Sequence, residues 1–334
     1  TGGGCPHILA EPQRTNLIPY SEDFSDSSWT KSGGGTGLAP AVTTDYLISP
    51  DGTQNADRII FDIGSGTTTS DISQLASPVF TMAADYSNSI WLKSNTGSSY
   101  TMSFLKSSGV VTTITITSDW QKFENSTTVS ATTTPIRLRL RGSESTSTYA
   151  DISVWGAQFE QGSYPTSYIP NFGTALGVTR NQDIFTRDGI GSLINSTEGV
   201  LFLEIAALSL LSDVSRVIML TSSDGLNYVN IYFQSDGRLT VYNNVNGVNT
   251  VLFQQVLNDI TLFNKCALKW GSQGYELWVN GIKLESSTST SVPIGLSEIN
   301  FNWNGGIRHF YGKVKQLQVY KTALTDVQLA ALTS

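Results

Sequence analysis

Between Phe159 and Asp183 the chain reads FEQGSYPTSYIPNFGTALGVTRNQD. Pro165 and Pro170 have no amide hydrogen to donate, and Gly173 and Gly177 favour turns, so this stretch cannot continue a central strand or a helix. It is a connection, and it divides the sequence into two long runs of short alternating segments. Tyr164, Tyr168, Ile169 and Phe172 make it too apolar for a solvated tether. It is therefore expected to pack as a strap across two β-sandwiches.

A length of 334 residues fits two domains, each able to bury its own core. Residues 1–13 read as an N-terminal arm, Gly-rich and then strand-like at His7–Ala10. In the first run, strands are expected at Ala56–Ile63, Ser89–Ser94, Tyr100–Lys106, Val110–Thr117, Gln121–Val129, Ile136–Arg141 and Ala150–Phe159. They are rich in Thr, Val, Ile and aromatics and are bounded by Gly, Ser, Asn or Asp. The stretch SGGGTG reads as flexible. The second run repeats the grammar from Val200–Ala206 to Gly312–Tyr320. Asn280-Gly281 accepts positive φ at both turn positions and predicts a tight type I′ hairpin between YELWV and IKLE, with Asp236-Gly237 acting in the same way. Thr325 followed by Gln328 forms a capping box that starts one short helix. The fold class is all-β: two consecutive antiparallel sandwiches, at 14–162 and 186–334, joined by the strap 163–185 and closed by that helix.

There are 27 acidic against 20 basic residues, a formal charge of -7. That balance argues against binding a phosphate backbone, which needs a basic field. Only 14 % of residues are charged, while Ser, Thr, Asn and Gly abound, as on many extracellular β-proteins. Cys5 and Cys266 fall in different domains and read as two unrelated thiols, with a single long-range disulfide as the alternative; there is no disulfide framework and no zinc spacing. No apolar run approaches the ~20 residues that span a bilayer, so membrane insertion is not expected. The first residue is Thr, which points to a processed chain or a piece of a longer one.

The runs CPHILAEPQRTNLIPYSEDFSDSSWTK, SPDGTQNADRI and YADISVWGAQFEQGSYPTSYIP resemble the carbohydrate-binding-module-like jelly roll of bacteriophage tail and virion proteins. FNKCALKWGSQGYELWVNGIKLE and FYGKVKQLQVYKTALTDVQLAALTS resemble the concanavalin A-like (laminin-G-like) sandwich that often follows it in phage fibres. The two cover nearly the whole chain. EPQRTNLIPYSEDFS and TALTDVQLAAL are the more specific phrases. The resemblance implies a virion or extracellular setting, a host-surface glycan or polysaccharide as partner, contact with other virion subunits, and several copies per particle or a homo-oligomer. It also implies sequence upstream of the CP-x-x-L-x-EPQRTN run. Alternatives are a structural decoration protein, or the accessory binding part of a polysaccharide-degrading enzyme.

Nothing in the sequence supplies a catalytic set. The only histidines are His7 and His309, and no HExxH, GxSxG, P-loop or Glu-x-Asp-x-x-Glu spacing occurs. Binding residues are easier to place. In Ile136–Arg141 the apolar residues alternate with Arg137, Arg139 and Arg141, which therefore share the face away from the core. In Ser89–Lys93, Ile90 and Leu92 take the core and leave Trp91 outward, beside the arginines if both strands share a sheet. The alternative keeps Trp91 in the core and pairs the arginines with surface acids. Trp155 alternates with Asp151 and Ser153, and Gly156 suggests a bulge that leaves its facing open. In the second domain Trp303, Arg308 and His309 lie in a Gly-rich loop, with Asp224, Asn227 and Tyr228 on the same rim. Related sandwiches hold a structural calcium through an acid in the last strand and a Glu after the first Phe. Asp151 matches the former, whereas Ser25 follows Phe24 with Asp23 and Asp26 nearby, so calcium on Asp23 and Asp151 is a candidate. No other cofactor is implied.

Overall fold

A computed structural model describes residues 6–105, 111–144, 147–210, 215–303 and 305–334. The chain divides into two compact units, Gln13–Asn181 and Thr1–Pro12 with Gln182–Ser334. Both are antiparallel β-sandwiches, as the alternating patterns predict.

In the first unit one sheet runs in the order Val111–Ile116, Tyr100–Leu105, Arg137–Arg141, Ile72–Ala76, Thr30–Gly34. The other runs Gln121–Val129, Ala84–Ser94, Tyr149–Gln161, Gln54–Asp62, Ala41–Ile48. Their inner faces meet over Ile59, Phe61, Leu75, Ile90, Leu92, Met102, Phe104, Leu138, Leu140, Ile152 and Val154, all with at most 1 % exposure. Each large aliphatic side chain withdrawn from water in this way contributes about 1.5–3 kcal/mol. Trp29 is buried against Phe24 and donates its indole N–H to the Tyr20 carbonyl at 3.0 Å. The glycines of Thr30–Gly34 are in a strand, not a flexible link. The backbone of Gly37 and Ala39 lies where a Cβ on Gly33 would sit, 2.5 and 2.7 Å away, so only glycine admits this approach.

In the second unit one sheet is ordered Ile8–Ala10, Gly312–Tyr320, Gly199–Ala207, Asn264–Gly271, Gly274–Val279, Ile282–Ser287. The segment read as an arm thus contributes an edge strand, with Ile8 opposite Val314. The facing sheet is ordered Thr186–Arg187, Leu296–Asn300, Arg216–Ser222, Tyr228–Phe233, Leu239–Val245, Val248–Gln255. The core between them includes Leu201, Leu203, Ile218, Leu220, Val229, Ile231, Leu268, Trp270 and Leu277. Cys266 is fully buried there as a free thiol, and burial pushes its pKa up to about 12. Cys5 lies outside the described residues.

Asn280 and Gly281 take φ 49° and 84°, the type I′ geometry expected of Asn-Gly. Asn246-Gly247, at 52° and 81°, repeats it between Val245 and Val248. Asp236-Gly237 differs: only Gly237 has positive φ, and Gln234 N–H bonds to the Arg238 carbonyl at 2.8 Å, which closes a wider loop. The helix Asp326–Thr333 begins at the predicted capping box on Thr325 and Gln328. It seats Leu329 against Val200, Phe202, Ala267 and Trp278, on the side of the sheet away from the main core.

The connection 163–185 belongs to both units. Its first part packs on the first sandwich, where Gln158 Oε1 accepts the Ile169 N–H at 2.7 Å and Glu160 Oε2 accepts the Thr166 hydroxyl at 2.7 Å. From Gln182 onward it belongs to the second, where Asp183 Oδ2 accepts the Glu11 N–H at 2.8 Å.

Candidate functional site: an aromatic face on the second sandwich

Strand Tyr228–Phe233 alternates strictly. Val229, Ile231 and Phe233 enter the core, which turns Tyr228, Asn230 and Tyr232 to the outer face of the sheet. Register places Asn230 opposite Tyr242 on one side and Met219 on the other, with Val217 opposite Tyr232. The outer face therefore gathers Val217, Met219, Tyr228, Tyr232 and Tyr242 into one apolar cluster, closed by Trp303.

The rings are ordered relative to one another. Tyr232 and Tyr242 are nearly parallel, 9° apart with centroids 5.9 Å apart. Trp303 stands edge-on to all three tyrosines, at 5.3 Å from Tyr228, 6.4 Å from Tyr232 and 6.5 Å from Tyr242. These are favourable edge-to-face geometries. Beneath Trp303, Tyr228 and Tyr232 are 7 % and 4 % exposed, whereas Tyr242 and Trp303 themselves are partly exposed. Burial raises the pKa of both Tyr228 and Tyr232, so their phenols are neutral hydrogen-bonding groups at physiological pH. Between them Asn230 is fully buried. Its Oδ1 accepts the Tyr242 N–H at 2.9 Å, and its Nδ2 has no hydrogen-bond partner among the described residues.

The loop after Phe301 holds Trp303 in place. Trp303 N–H bonds to the Ile307 carbonyl at 2.7 Å and Gly306 N–H to the Trp303 carbonyl at 3.1 Å. Gly305 and Gly306 take φ 84° and 72°, and Arg308 takes 54°. Asn304 lies outside the described residues. The Arg308 guanidinium stacks 5.4 Å from the Trp303 ring, a cation–π contact at the rim. His309 is bridged to Val217 and approaches Gln182, its Nε2 3.3 Å from the amide nitrogen, while its ring stacks on Tyr311. Trp303 thus contacts both Tyr228 and Arg308, while the side-chain contacts of His309 are with Gln182 and Tyr311. Asp224 and Asn227 tie the preceding turn: Asp224 Oδ1 accepts from Ser222 Oγ at 2.5 Å and Leu226 N–H at 2.9 Å, and Asn227 Oδ1 accepts from Ile294 N–H at 3.2 Å. Tyr232 and Tyr242 were missed by sequence reasoning, although the alternation of Tyr232 with Ile231 and Phe233 signals an outward ring.

The candidates on the first sandwich are not gathered in this way. Trp91 lies in strand Ala84–Ser94 and the three arginines in Arg137–Arg141, which belong to different sheets. The expected Trp91–arginine face is therefore absent, because the two strands join opposite layers. Trp91 instead sits directly opposite Trp155, half-buried. Trp155 is 4 % exposed on the same outer face and packs at 4.5 Å under Tyr168 of the connection. The register shift between Trp155 and Gln158 is the bulge suggested by Gly156, whose φ is 66°. Ile136, Leu138 and Leu140 point into the core and the arginines point away, as alternation requires. Glu144 accepts from Arg139 Nε at 2.7 Å and from Arg141 Nη1 at 3.0 Å.

Asp23 and Asp151, the candidate calcium ligands, are each engaged by protein donors. Both carboxylate oxygens of Asp151 are held by Arg58, at 2.9 and 2.5 Å, and Oδ1 also accepts from Asn95 at 2.8 Å. The guanidinium lowers the Asp151 pKa and already supplies the positive charge a cation would bring. Asp23 Oδ1 accepts from Ser25 N–H and Oγ, at 2.9 and 2.6 Å, and lines a separate recess of about 650 Å³ with Glu22, Asp45 and Asp57. Among the described residues no group of three or more His, Cys, Asp or Glu side chains is placed to hold a metal ion.

No family model and no curated protein matches the chain. Among solved structures it is similar to the carbohydrate-binding module CBM40 of the Ruminococcus gnavus IT-sialidase, at 17 % identity over 45 % of this chain and 98 % of that one, with a TM-score of 0.36. It is also similar to domain 4 of AbnA, an extracellular arabinanase from Geobacillus stearothermophilus, in complex with arabinotriose (16 % identity, 49 % and 84 % of the two chains, TM-score 0.36). A NanB sialidase from Streptococcus pneumoniae matches at 18 % identity and a TM-score of 0.36, with the match spanning 27 % of that enzyme's length. Likenesses this distant carry no functional assignment.

Proposed function

We propose that this chain is a non-catalytic glycan-binding protein carried on a virion, where it contributes to attachment to the host surface. The observation that carries the reading is the outer aromatic face of the second sandwich. A sugar ring presents apolar C–H groups on one face and hydroxyls at its edge. Partly exposed Trp303 and Tyr242 offer ring surface to the first, and the Arg308 guanidinium at the rim offers donors to the second. The virion setting rests on the resemblance of EPQRTNLIPYSEDFS and TALTDVQLAAL to phage proteins. A shallow site of this size binds weakly, and several copies on one particle would gain by avidity.

A glycan array probed with the wild type, Trp303→Ala and Tyr242→Ala tests the reading. The wild type should retain a restricted set of glycans, and each variant should bind them about tenfold more weakly, as expected for removal of an aromatic anchor. Retention of no glycan by the wild type, or unchanged binding by both variants, refutes it.

A further inference from the structure

The arginine strand of the first sandwich carries a second, chemically different feature. Three guanidinium groups leave one face of Arg137–Arg141, and one carboxylate serves two of them. Glu144 takes Arg139 through both of its oxygens and Arg141 through one, and Arg141 Nε also donates to the Thr69 carbonyl at 2.6 Å. Arg137 has no such partner. Its side chain forms no ion pair or hydrogen bond among the described residues, and its Nε is buried and unpartnered although the side chain as a whole is only half-buried. None of residues 105–110 or 145–146 is acidic, so the undescribed neighbours in sequence hold no counter-ion either.

The face around Arg137 mixes small, polar and aliphatic positions, with Ile72 and Val111 at its margins. Along the sheet Arg137 faces Ala76 and then Thr30, while Arg139 faces Gln74 and Ser32 on one side and Ser103 and Thr113 on the other. The positions that register gives to this face contain no aromatic ring to stack on a sugar and no acid to neutralise a cation. A half-desolvated guanidinium beside another guanidinium is costly unless an anion completes it. Burial and Arg139 both disfavour its charged form.

We propose that the outer face of this sheet, centred on Arg137, is a binding site for the anionic substituent of an acidic glycan, a carboxylate or a sulfate. The planar fork of Arg137 would meet two oxygens of that group, and the neighbouring hydroxyl and amide side chains would meet the sugar around it. The site is independent of the aromatic face and holds whether or not that face binds sugar. The formal charge of -7 makes the whole chain repel polyanions, so any such binding must be local.

The test uses the full chain and three polymers: polygalacturonate, dextran sulfate and uncharged dextran. Binding is measured by affinity electrophoresis or calorimetry at low and high salt, for the wild type, Arg137→Gln, Arg137→Lys and Arg187→Gln, with thermal unfolding to confirm that each variant is folded. At low salt the wild type should bind at least one acidic polymer in preference to dextran, and the polymer bound identifies the group. Arg137→Gln should lose about tenfold or more in affinity, Arg137→Lys should fall between, and Arg187→Gln, which removes an exposed charge outside both faces, should leave this binding unchanged. The proposal is overturned if neither acidic polymer is preferred to dextran, or if folded Arg137→Gln binds as well as the wild type.

Discussion

Asp57 is the carboxyl whose titration should be visible in the stability of the first sandwich. It is 1 % exposed in the middle of strand Gln54–Asp62, with Oδ2 accepting the Phe24 N–H at 2.8 Å and Oδ1 the Asp45 N–H at 3.1 Å. Those two donors favour the ionised form, but burial outweighs them, and Asp23 and Asp45 add like charge, so the pKa rises from 3.8 to about 7. Glu22, in the same recess, is also raised by burial. A raised carboxyl pKa means that the folded state holds the proton more tightly than the unfolded chain. The associated stability is therefore fully present below pH 3.8 and is lost as pH rises to about 7. A shift of about three units corresponds to roughly 4 kcal/mol, an upper figure because the adjoining recess admits water. Asp57→Asn removes this titration, while turning an amide N–H toward one of the two backbone donors costs about 1–3 kcal/mol at every pH. The informative quantity is the pH dependence of the difference between wild type and Asp57→Asn. Urea unfolding of the full chain from pH 4 to pH 8 should show the wild type losing up to about 4 kcal/mol relative to the variant. A difference that stays constant across that range refutes the assignment.

Two further outcomes follow from the packing. Arg58→Ala leaves the nearly buried Asp151 carboxylate with only Asn95, and should cost about 3 kcal/mol near neutral pH. Because the Asp151 pKa is lowered by that pair, the contribution is present above the usual Asp value and disappears as pH falls below it, which unfolding at acid and neutral pH would register. Leu329→Ala should destabilise the second sandwich by about 2–4 kcal/mol, because the side chain anchors the terminal helix on Phe202 and Trp278. Faster amide exchange confined to Asp326–Thr333 would confirm that the helix loosens first; uniform exchange across the sheet would argue against it.

The legible parts of this molecule are those in which a local rule suffices. Gln121–Val129 and Gly312–Tyr320 have the bounds that alternation predicts, and Asn280-Gly281 and the capping box at Thr325 act within a few residues. Thr30–Gly34 and Ala41–Ile48 were not legible, for a common reason. The first is built on glycines needed for a close backbone approach, and the second is an edge strand exposed at most positions, so neither carries a hydrophobic period. The sites divide along the same line. Alternation alone tells which way a side chain points, and the outward facing of Arg137, Arg139 and Arg141 follows from it. It does not tell which of two layers a strand joins, and that choice separates Trp91 from the arginines. Conversely, Tyr232 and Tyr242 come from adjacent strands and meet only because register sets Asn230 opposite Tyr242 and Tyr232 opposite Thr240. A binding face on a β-sandwich is a property of strand pairing more than of any one segment. For that reason the aromatic cluster emerges only when the sheet is assembled, and the surplus of cations over carboxylates around Arg137 only when Glu144 finds its two partners.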